Sequence, residues 1–531
     1  MNGSVINHIV AAPADGRSRL RVVRLDGTTT LTLAELHARA GRLARGLRDA
    51  GLRRGDRIGI LASNCLEWVL LDLAALRLGA VTAGFEPGKF DPDGSLIGRY
   101  QLAALFTDRQ AQDPSPAQGP NPAQGPNPAR GLGIRPIADV GRLIDEADQA
   151  VPLPLVRYAP DDVTTIKFTS GSTGEPKGLA ATVGSIDSSI SAIQGLFEHD
   201  GDDNLFVFLP LSLLQQRYWI YSALRYGHDV TVSTYEVAFA VLRRVAPTVV
   251  MGVPAFYEAA MRHIERAASR AAGGQPSPDA ISAAAQALLG DRIRYLWTGS
   301  APARQSVLRF FADAGMPIYE GYGLNETCIV SKNHPRAHRP GSAGRVLPGK
   351  KVLLDDDGVI SVWSEHPVNS RYEYAGPGES ERVFGADGTV RTGDLGYIDA
   401  DGFLFIRGRA DDVIVLDNGK KVIVRPIEEY LRASPAVHEC VVLCPTQTHL
   451  VAVVSPATDP PDATAIETRV AAANAAFGKD EQIKEIVIAP ERFSVANGML
   501  TSQFKPRRRL ISQAYWNPAG SHQGRASADG I

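Results

Sequence analysis

Leucines at positions 33, 36, 43 and 47 recur at helical spacing over residues 30–52, and Gly51 ends the amphipathic helix they predict. The run Arg57-Ile58-Gly59-Ile60-Leu61 follows at once and reads as a strand. Apolar helix and apolar strand then alternate to about Leu324, with further strands expected at Val163-Thr164-Thr165-Ile166-Lys167-Phe168 and Thr248-Val249-Val250-Met251-Gly252-Val253. That alternation predicts parallel α/β layers. From about Gly341 the texture changes to short strands between Asp/Gly turns (Val352–Asp355, Val359–Trp363, Phe403–Ile406), which read as a smaller twisted β unit. After Arg409 a shorter α+β pattern runs to about Arg509. The expected fold class is α/β: a large N-terminal domain over 1–409 of layered α/β subdomains plus a small twisted β unit, and a small α+β C-terminal domain over 410–515.

Two segments fall outside this pattern. Residues 112–130 carry the repeat Pro-Ala-Gln-Gly-Pro-Asn, whose Pro and Gly density denies the backbone ladder bonds and a packed face, so a flexible surface loop is expected. A proline-ligand motif for a partner is the alternative. The tail 516–531 reads as disordered.

With 531 residues against about 100–200 per domain, more than one domain is expected. Hydrophobic residues at 44% and charged residues at 21% exclude a largely disordered or collagen-like chain. Basic and acidic side chains nearly cancel (56 against 58, net −2), so no global field favours nucleic acid or an anionic membrane, and the short cluster Arg507-Arg508-Arg509 does not change that. Four cysteines in so long a chain are no disulfide framework, and a reducing compartment fits. Cys440 and Cys444 are spaced like neighbours on one helix turn, but no second Cys/His pair follows to complete a metal site. The N-terminus shows no secretory pattern, and the apolar stretch 68–81 is broken by Asp72 and Arg77 and falls short of the ~20 residues a bilayer needs. A cytoplasmic protein is expected, with neither nucleic acid nor membrane as partner.

The strongest chemical signal is Thr169-Ser170-Gly171-Ser172-Thr173-Gly174-Glu175-Pro176-Lys177-Gly178, set flush against a strand. Hydroxyls interleaved with glycines let the backbone turn tightly and aim N–H and O–H donors at phosphate oxygens, and Lys177 adds a mobile cation. A P-loop would need Ser or Thr after the lysine, where Gly178 stands.

With this loop the chain resembles the adenylate-forming enzymes: acyl-CoA synthetases, firefly-type luciferases and nonribosomal-peptide adenylation domains. Further signatures recur in order over essentially the whole chain. Gly299-Ser300-Ala301-Pro302 is similar to the family's adenine-side loop, and Tyr319-Glu320-Gly321-Tyr322-Gly323-Leu324-Asn325-Glu326-Thr327 to its Tyr-Gly-x-Thr-Glu signature. Arg391-Thr392-Gly393-Asp394 resembles the ribose-binding signature, Gly408-Arg409-Ala410-Asp411-Asp412 the domain junction, and Asn497 to Lys505 the C-terminal lysine loop.

The resemblance implies two steps: a carboxylate attacks the α-phosphate of ATP, with Mg²⁺, to give acyl-AMP and pyrophosphate; a thiol, coenzyme A, then displaces AMP. It implies that Lys505 bridges carboxylate and α-phosphate, that Glu326 holds Mg²⁺, that Asp394 takes the ribose hydroxyls with Arg409 assisting, and that loop 169–177 holds the pyrophosphate. Gly299, Ser300, Ala301, Glu320, Gly321, Tyr322 and Ile406 complete the implied nucleotide site. It also implies a mobile C-terminal domain hinged at Asp411, whose rotation brings Gly419, Lys420 and Lys421 to a phosphopantetheine tunnel. A solvated Asn-Gly hairpin is the plain reading of that loop.

Two departures stand out. Asn325 replaces the usual Thr, a donor to the α-phosphate; losing a well-aimed donor costs about a hundredfold in rate. Leu213 stands where relatives often carry His or an aromatic, which enlarges the apolar wall. Leu213, Trp219 and Gly323 are therefore expected around the acyl group, although core packing accounts equally for Leu213 and Trp219. The expectation is an acyl-CoA ligase for a hydrophobic, bulky carboxylic acid. The alternatives are an enzyme that only converts preformed acyl-AMP to the thioester, a ligase that loads a carrier protein, and a non-catalytic adenylate-binding protein.

Overall fold

The computed structural model describes residues 3–12, 16–110, 132–148, 151–169, 176–501, 504–516 and 525–527. The repeat segment 112–130 and the loop residues Ser170 to Glu175 lie outside them, as does the side chain of Thr169.

Two large sheets carry the first part of the chain. One has six strands, with Leu102–Thr107, Arg57–Leu61, Val81–Phe85 and Val163–Thr169 side by side at its centre. These central strands are parallel; the edge strand Lys177–Thr182 turns back antiparallel on Val163–Thr169, so the hydroxyl–glycine run is the connection of a hairpin. The other has nine strands, with a parallel centre from Asp229–Val232 through Asn204–Val207, Val249–Met251 and Tyr295–Thr298 to Ile318–Leu324. The expected helix forms over Leu33–Asp49. Thr32 caps it, reciprocated by Glu35 in a capping box, and its leucines at 33, 36, 43 and 47 are buried.

Between the sheets lies the helix Leu66–Leu78, apolar on every side and buried along most of its length. Asp72, which interrupts its apolar run, meets a partner from the other half of the domain. The fully buried Arg217 of helix Leu214–Tyr226 pairs with Asp72 at 2.9 Å, and the hydroxyls of Tyr221 (2.5 Å) and Thr82 (3.0 Å) donate to the same carboxylate. Arg217 also donates to Thr165 at 2.9 Å, so one buried network ties the helix to two strands of the six-stranded sheet. No helix among the described residues is long and apolar enough to cross a membrane.

The short strands after Gly341 form a four-stranded antiparallel sheet, Lys350–Leu354, Val359–Ser364, Thr389–Ile398 and Leu404–Arg409. A hairpin (Val413–Val415, Lys421–Ile423), helices and a second four-stranded sheet follow.

Two expectations are corrected here. Cys440 sits on the strand Val437–Leu443 and not on a helix; its thiol is buried and burial raises its pKa, while Cys444 follows the strand's end. Among the described residues no His/Cys/Asp/Glu group is arranged to hold a metal ion. In the tail read as disordered, Arg525–Ser527 pairs antiparallel with Ile483–Ile488, whose edge offers unsatisfied backbone groups; the other residues of 517–531 lie outside the described ones. The middle arginine of the basic cluster is also no solvated charge, because Arg508 grips the buried Glu428 carboxylate through both oxygens, at 2.6 and 2.5 Å.

Candidate active site

A cavity of about 730 Å³ opens where the two large sheets and the C-terminal part of the chain meet. Its walls come from the ends of parallel strands and the loops after them, the usual place for a ligand in α/β sheets. Asn64 sets one wall. Its buried amide donates to the carbonyls of Leu209 and Ser233 (2.9 and 2.8 Å) and accepts from the Leu211 N–H (2.9 Å). The loop ending at Leu213 is thereby clamped, and Leu213 lines the cavity.

The Tyr-Gly-x-x-Glu segment forms the opposite wall as a hairpin. Ile318–Leu324 pairs antiparallel with Cys328–Lys332, and Asn325, Glu326 and Thr327 make the turn, which the Thr327 hydroxyl closes by accepting from the Leu324 N–H at 3.0 Å. The strands approach so closely that a Cβ on Gly323 would lie 2.0 Å from the Cys328 carbonyl oxygen, so only glycine fits. Gly321, Tyr322, Gly323, Asn325 and Glu326 all line the cavity, as do Gly299 and Ser300 of the adenine-side loop.

Asp394 and Arg409, fifteen positions apart, are direct cross-strand partners in the antiparallel sheet. Asp394 is buried, accepts from the Tyr322 hydroxyl at 2.6 Å and pairs with Arg409 at 3.1 Å. From the C-terminal part, Lys505 lines the same cavity. Its loop is closed on itself: Thr501 N–H donates to the Lys505 carbonyl (2.8 Å), and Lys505 N–H to the Thr501 hydroxyl (3.1 Å). The crowding of protein around the ammonium lowers the Lys505 pKa, Asp394 works against that, and Arg409 adds to it. The Lys505 side chain nevertheless keeps substantial contact with solvent.

On the adenine side, Glu320 turns back and accepts from the Ala303 N–H at 3.1 Å, pinning the loop. Beneath it the fully buried Lys332 donates to the Tyr319 carbonyl at 2.7 Å, and its ammonium sits 3.2 Å from the centroid of the Trp297 ring. Burial raises the Glu320 pKa from 4.5 to about 7, against the pull of the Ala303 N–H and Lys332. Because the folded value exceeds the unfolded one, the folded state holds a proton that the unfolded chain has lost between those two values. This contribution makes stability fall as pH rises through the window and level off above it. Glu320→Gln is therefore expected to gain in melting temperature relative to the parent as pH goes from 5 to 8. Parallel curves for the two proteins would contradict the shift.

Around Glu326 the structure adds residues without a sequence signal. Tyr372 donates its hydroxyl to Glu326 at 2.7 Å, and Lys177 lies 5.2 Å above the Tyr372 ring and pairs with Glu379 at 2.8 Å. Tyr372 and Glu379 sit in no motif. They meet Glu326 and Lys177 only because the 366–384 segment folds over the edge strand, and no spacing rule reveals that.

Some expected site residues lie elsewhere. Trp219 is buried in the core, 5.1 Å from Trp297 in edge-to-face contact, and does not line the cavity. This is the core packing that the sequence allowed for it equally. Ile406 packs against the same buried cluster as Tyr322 (Val330, Ile360, Val362, Leu404), and neither Ile406 nor Ala301 lines the cavity. The Asp411 side chain is 86% exposed, with its carboxylate 3.5 Å from the Arg409 guanidinium. Gly419, at φ 78°, and its neighbours form the hairpin turn at the surface, where Lys421 pairs with Asp357 at 2.8 Å and Lys420 is exposed.

A cleft between two α/β sheets, with a buried Asp paired to a half-exposed Arg at one side and a lysine brought in by the C-terminal part, defines an adenylate-forming enzyme. The chain belongs to the AMP-binding enzyme family, whose model matches residues 11–362, while the model of the AMP-binding enzyme C-terminal domain matches 411–515. It is 28% identical to the long-chain-fatty-acid–CoA ligase FadD15 of Mycobacterium tuberculosis over 92% of either chain, and 25% identical to the 2-succinylbenzoate–CoA ligase of Bacillus subtilis over 79% of this chain and 81% of that one. Its fold matches the anthranilate CoA ligase AuaEII in complex with anthranoyl-AMP (TM-score 0.77, 19% identity, 96% and 97% of the two chains). It also matches the O-succinylbenzoate coenzyme A synthetase MenE from Bacillus subtilis in complex with AMP (TM-score 0.74, 21% identity, 98% and 99%).

Proposed function

We propose that this enzyme is an acyl-CoA ligase that activates a carboxylic acid as its acyl-AMP and passes the acyl group to coenzyme A. The observation that carries the proposal is the convergence of Lys505, Asn325 and Glu326 on one cavity beside the Asp394–Arg409 pair. Joining two anions requires positive charge and donors already in place where negative charge develops. Lys505 supplies the cation between carboxylate and α-phosphate, and Asn325, exposed at the turn, supplies an N–H donor. Asp394 accepts from the ribose hydroxyls.

The donor set suits Mg²⁺, which keeps waters and takes one or two carboxylates along with substrate phosphates. Glu326 would hold it. Tyr372 occupies one of that carboxylate's oxygens and orients the other. The loop 169–177, with Lys177, would hold the pyrophosphate. Relatives named as fatty-acid and aryl-acid CoA ligases support the acid–thiol reading. Leu213, Leu214, Phe208 and Ile329 on the cavity wall support an acid with an apolar body. Lys505 lies in the cavity while the Gly419 turn sits at the surface, an arrangement that suits the adenylation half-reaction. The hinge at Asp411 and a later approach of Gly419, Lys420 and Lys421 to coenzyme A belong to the same proposal, as does the domain boundary after Arg409.

The test is acid-dependent ATP–pyrophosphate exchange, with CoA thioester detected by mass spectrometry across a panel of carboxylic acids. Asn325 favours a second reading, in which only supplied acyl-AMP is converted; thioester from acyl-AMP without exchange would select it. Asn325→Thr, which brings a shorter hydroxyl donor to the turn, is expected to raise exchange about tenfold or more. An unchanged rate would remove the donor from the account.

A further inference from the structure

The cavity has a cation that adenylate chemistry does not use. Lys167 lies on the central strand Val163–Thr169, beside Gly84 of one neighbouring strand and Leu179 of the other. Strand alternation sends Ile166 and Phe168 into an apolar cluster on one face. Thr165 and Lys167 point to the other face, toward helix Leu214–Tyr226, where Thr165 meets Arg217. Lys167 is 5% exposed and lines the cavity. Its ammonium has a single close polar neighbour among the described residues, the Cys328 sulfur at 3.7 Å, which the Tyr218 hydroxyl also meets at 3.0 Å.

Among the described residues no carboxylate pairs with this ammonium. Of the carboxylates on the cavity wall, Glu86 pairs with Lys89 at 2.6 Å, Glu326 accepts from Tyr372 and Glu236 is exposed to solvent; farther off, Asp72 is taken by Arg217, Tyr221 and Thr82, and Glu379 pairs with Lys177. Lys350, close enough to feel Lys167, adds a second positive charge and spends its donors on the Thr327 carbonyl (2.7 Å) and the Ser364 hydroxyl (3.2 Å). Gln216, on the same cavity wall, buries an amide oxygen without a partner among the described residues, and an amide can present either end to a ligand. A buried ammonium without a counter-ion costs several kcal/mol, so a strand-centre position is a poor place for lysine unless an anion arrives there.

We propose that Lys167 closes the acid's end of the cavity and that the substrate is a carboxylic acid bearing a second anionic group, in the simplest case a dicarboxylate. This deepens the ligase reading and rests on it. One carboxylate goes to Lys505 and the α-phosphate. The other pairs with Lys167, and the apolar wall at Leu213 and Leu214 covers the chain between them.

The probes are paired acyl-sulfamoyl-adenosines of equal chain length ending in a carboxylate or a methyl, with AMP as a third ligand. They are titrated against the full chain over a series of lengths by thermal shift. The parent protein is expected to bind the carboxylate-ended compound of the best length about tenfold more tightly than its methyl partner. Lys167→Met should lose that preference and Lys167→Arg retain it, with AMP binding unchanged in both. Equal binding of the pair by the parent overturns the inference and leaves the ligase reading standing. A loss in Lys167→Met shared by both compounds and by AMP assigns the lysine to the nucleotide phosphates and also overturns it. If the parent binds none of the three, the adenylate site itself falls, and this inference with it. The comparison within the parent protein decides the matter even if the methionine variant does not fold.

Discussion

Replacement of Lys505 by alanine is expected to reduce acid-dependent pyrophosphate exchange by about a hundredfold or more, while thioester formation from supplied acyl-AMP and CoA stays within about threefold of the parent. The first half-reaction brings two anions together at a point where Lys505 is the cation delivered by the C-terminal part of the chain. The second half-reaction begins from acyl-AMP, whose phosphate carries a single negative charge, and a thiol, so it does not join a carboxylate to a polyphosphate. The loop that carries Lys505 is held by its own hydrogen bonds to Thr501, so the substitution removes the charge and leaves the loop. Crowding lowers the Lys505 pKa. The cation is therefore lost as pH rises, and at lower pH than for a free lysine, and exchange should fall on the alkaline side before the ordinary lysine range of about 10.4 is reached. Equal loss in both half-reactions would show that Lys505 is not the adenylation cation.

Asp72→Ala should destabilise the large domain by about 3–5 kcal/mol, the range for stranding one member of a buried ion pair. Arg217 is fully buried, and with Asp72 removed it would keep, among the described residues, the hydroxyls of Thr82 and Thr165 on its Nη1 atom and the Trp68 ring 5.2 Å from its guanidinium carbon. Its other two nitrogens, Nε and Nη2, already lack hydrogen-bond partners among the described residues. The double variant Asp72→Leu/Arg217→Met should recover most of the loss, because replacing both charges together leaves none uncompensated. Denaturant midpoints of the single and double variants give the measurement. A single variant within about 1 kcal/mol of the parent would mean that water reaches Arg217 or that the network contributes little. Tyr218, next to Arg217, lines the cavity, so the loss of this network should also weaken ligand binding.

These two residues show where the sequence is legible and where it stops. Asp72 was visible as a charge inside an apolar helix, enough to argue against a membrane span. Its partner lies 145 positions away, and no local pattern could supply it. Lys505 alone would pass for one more solvated lysine beside an arginine run; the order of motifs from Thr169 onward overturned that reading. The Leu33–Asp49 helix and the Arg57–Leu61 strand were legible because burial of one face imposes its own period on the chain. Trp219 was open to two readings from the sequence, acyl wall or core, and its burial against Trp297 matches the second. Cys440 and Cys444 were read at helical spacing in a segment that the two valines after Cys440 place in a sheet.

The order of the layers, the position of the motifs and the residue types of the adenylate site follow from the linear chain, because hydrophobic period and turn chemistry act over a few residues. The pairing of Asp394 with Arg409, the hold of Tyr372 on Glu326 and the contact of the buried Lys167 ammonium with the Cys328 sulfur were decided only in three dimensions. Each depends on strand register or on segments folded over one another. Coulomb and desolvation energies depend on the distances and burial those contacts create, and neither can be read from separation along the chain.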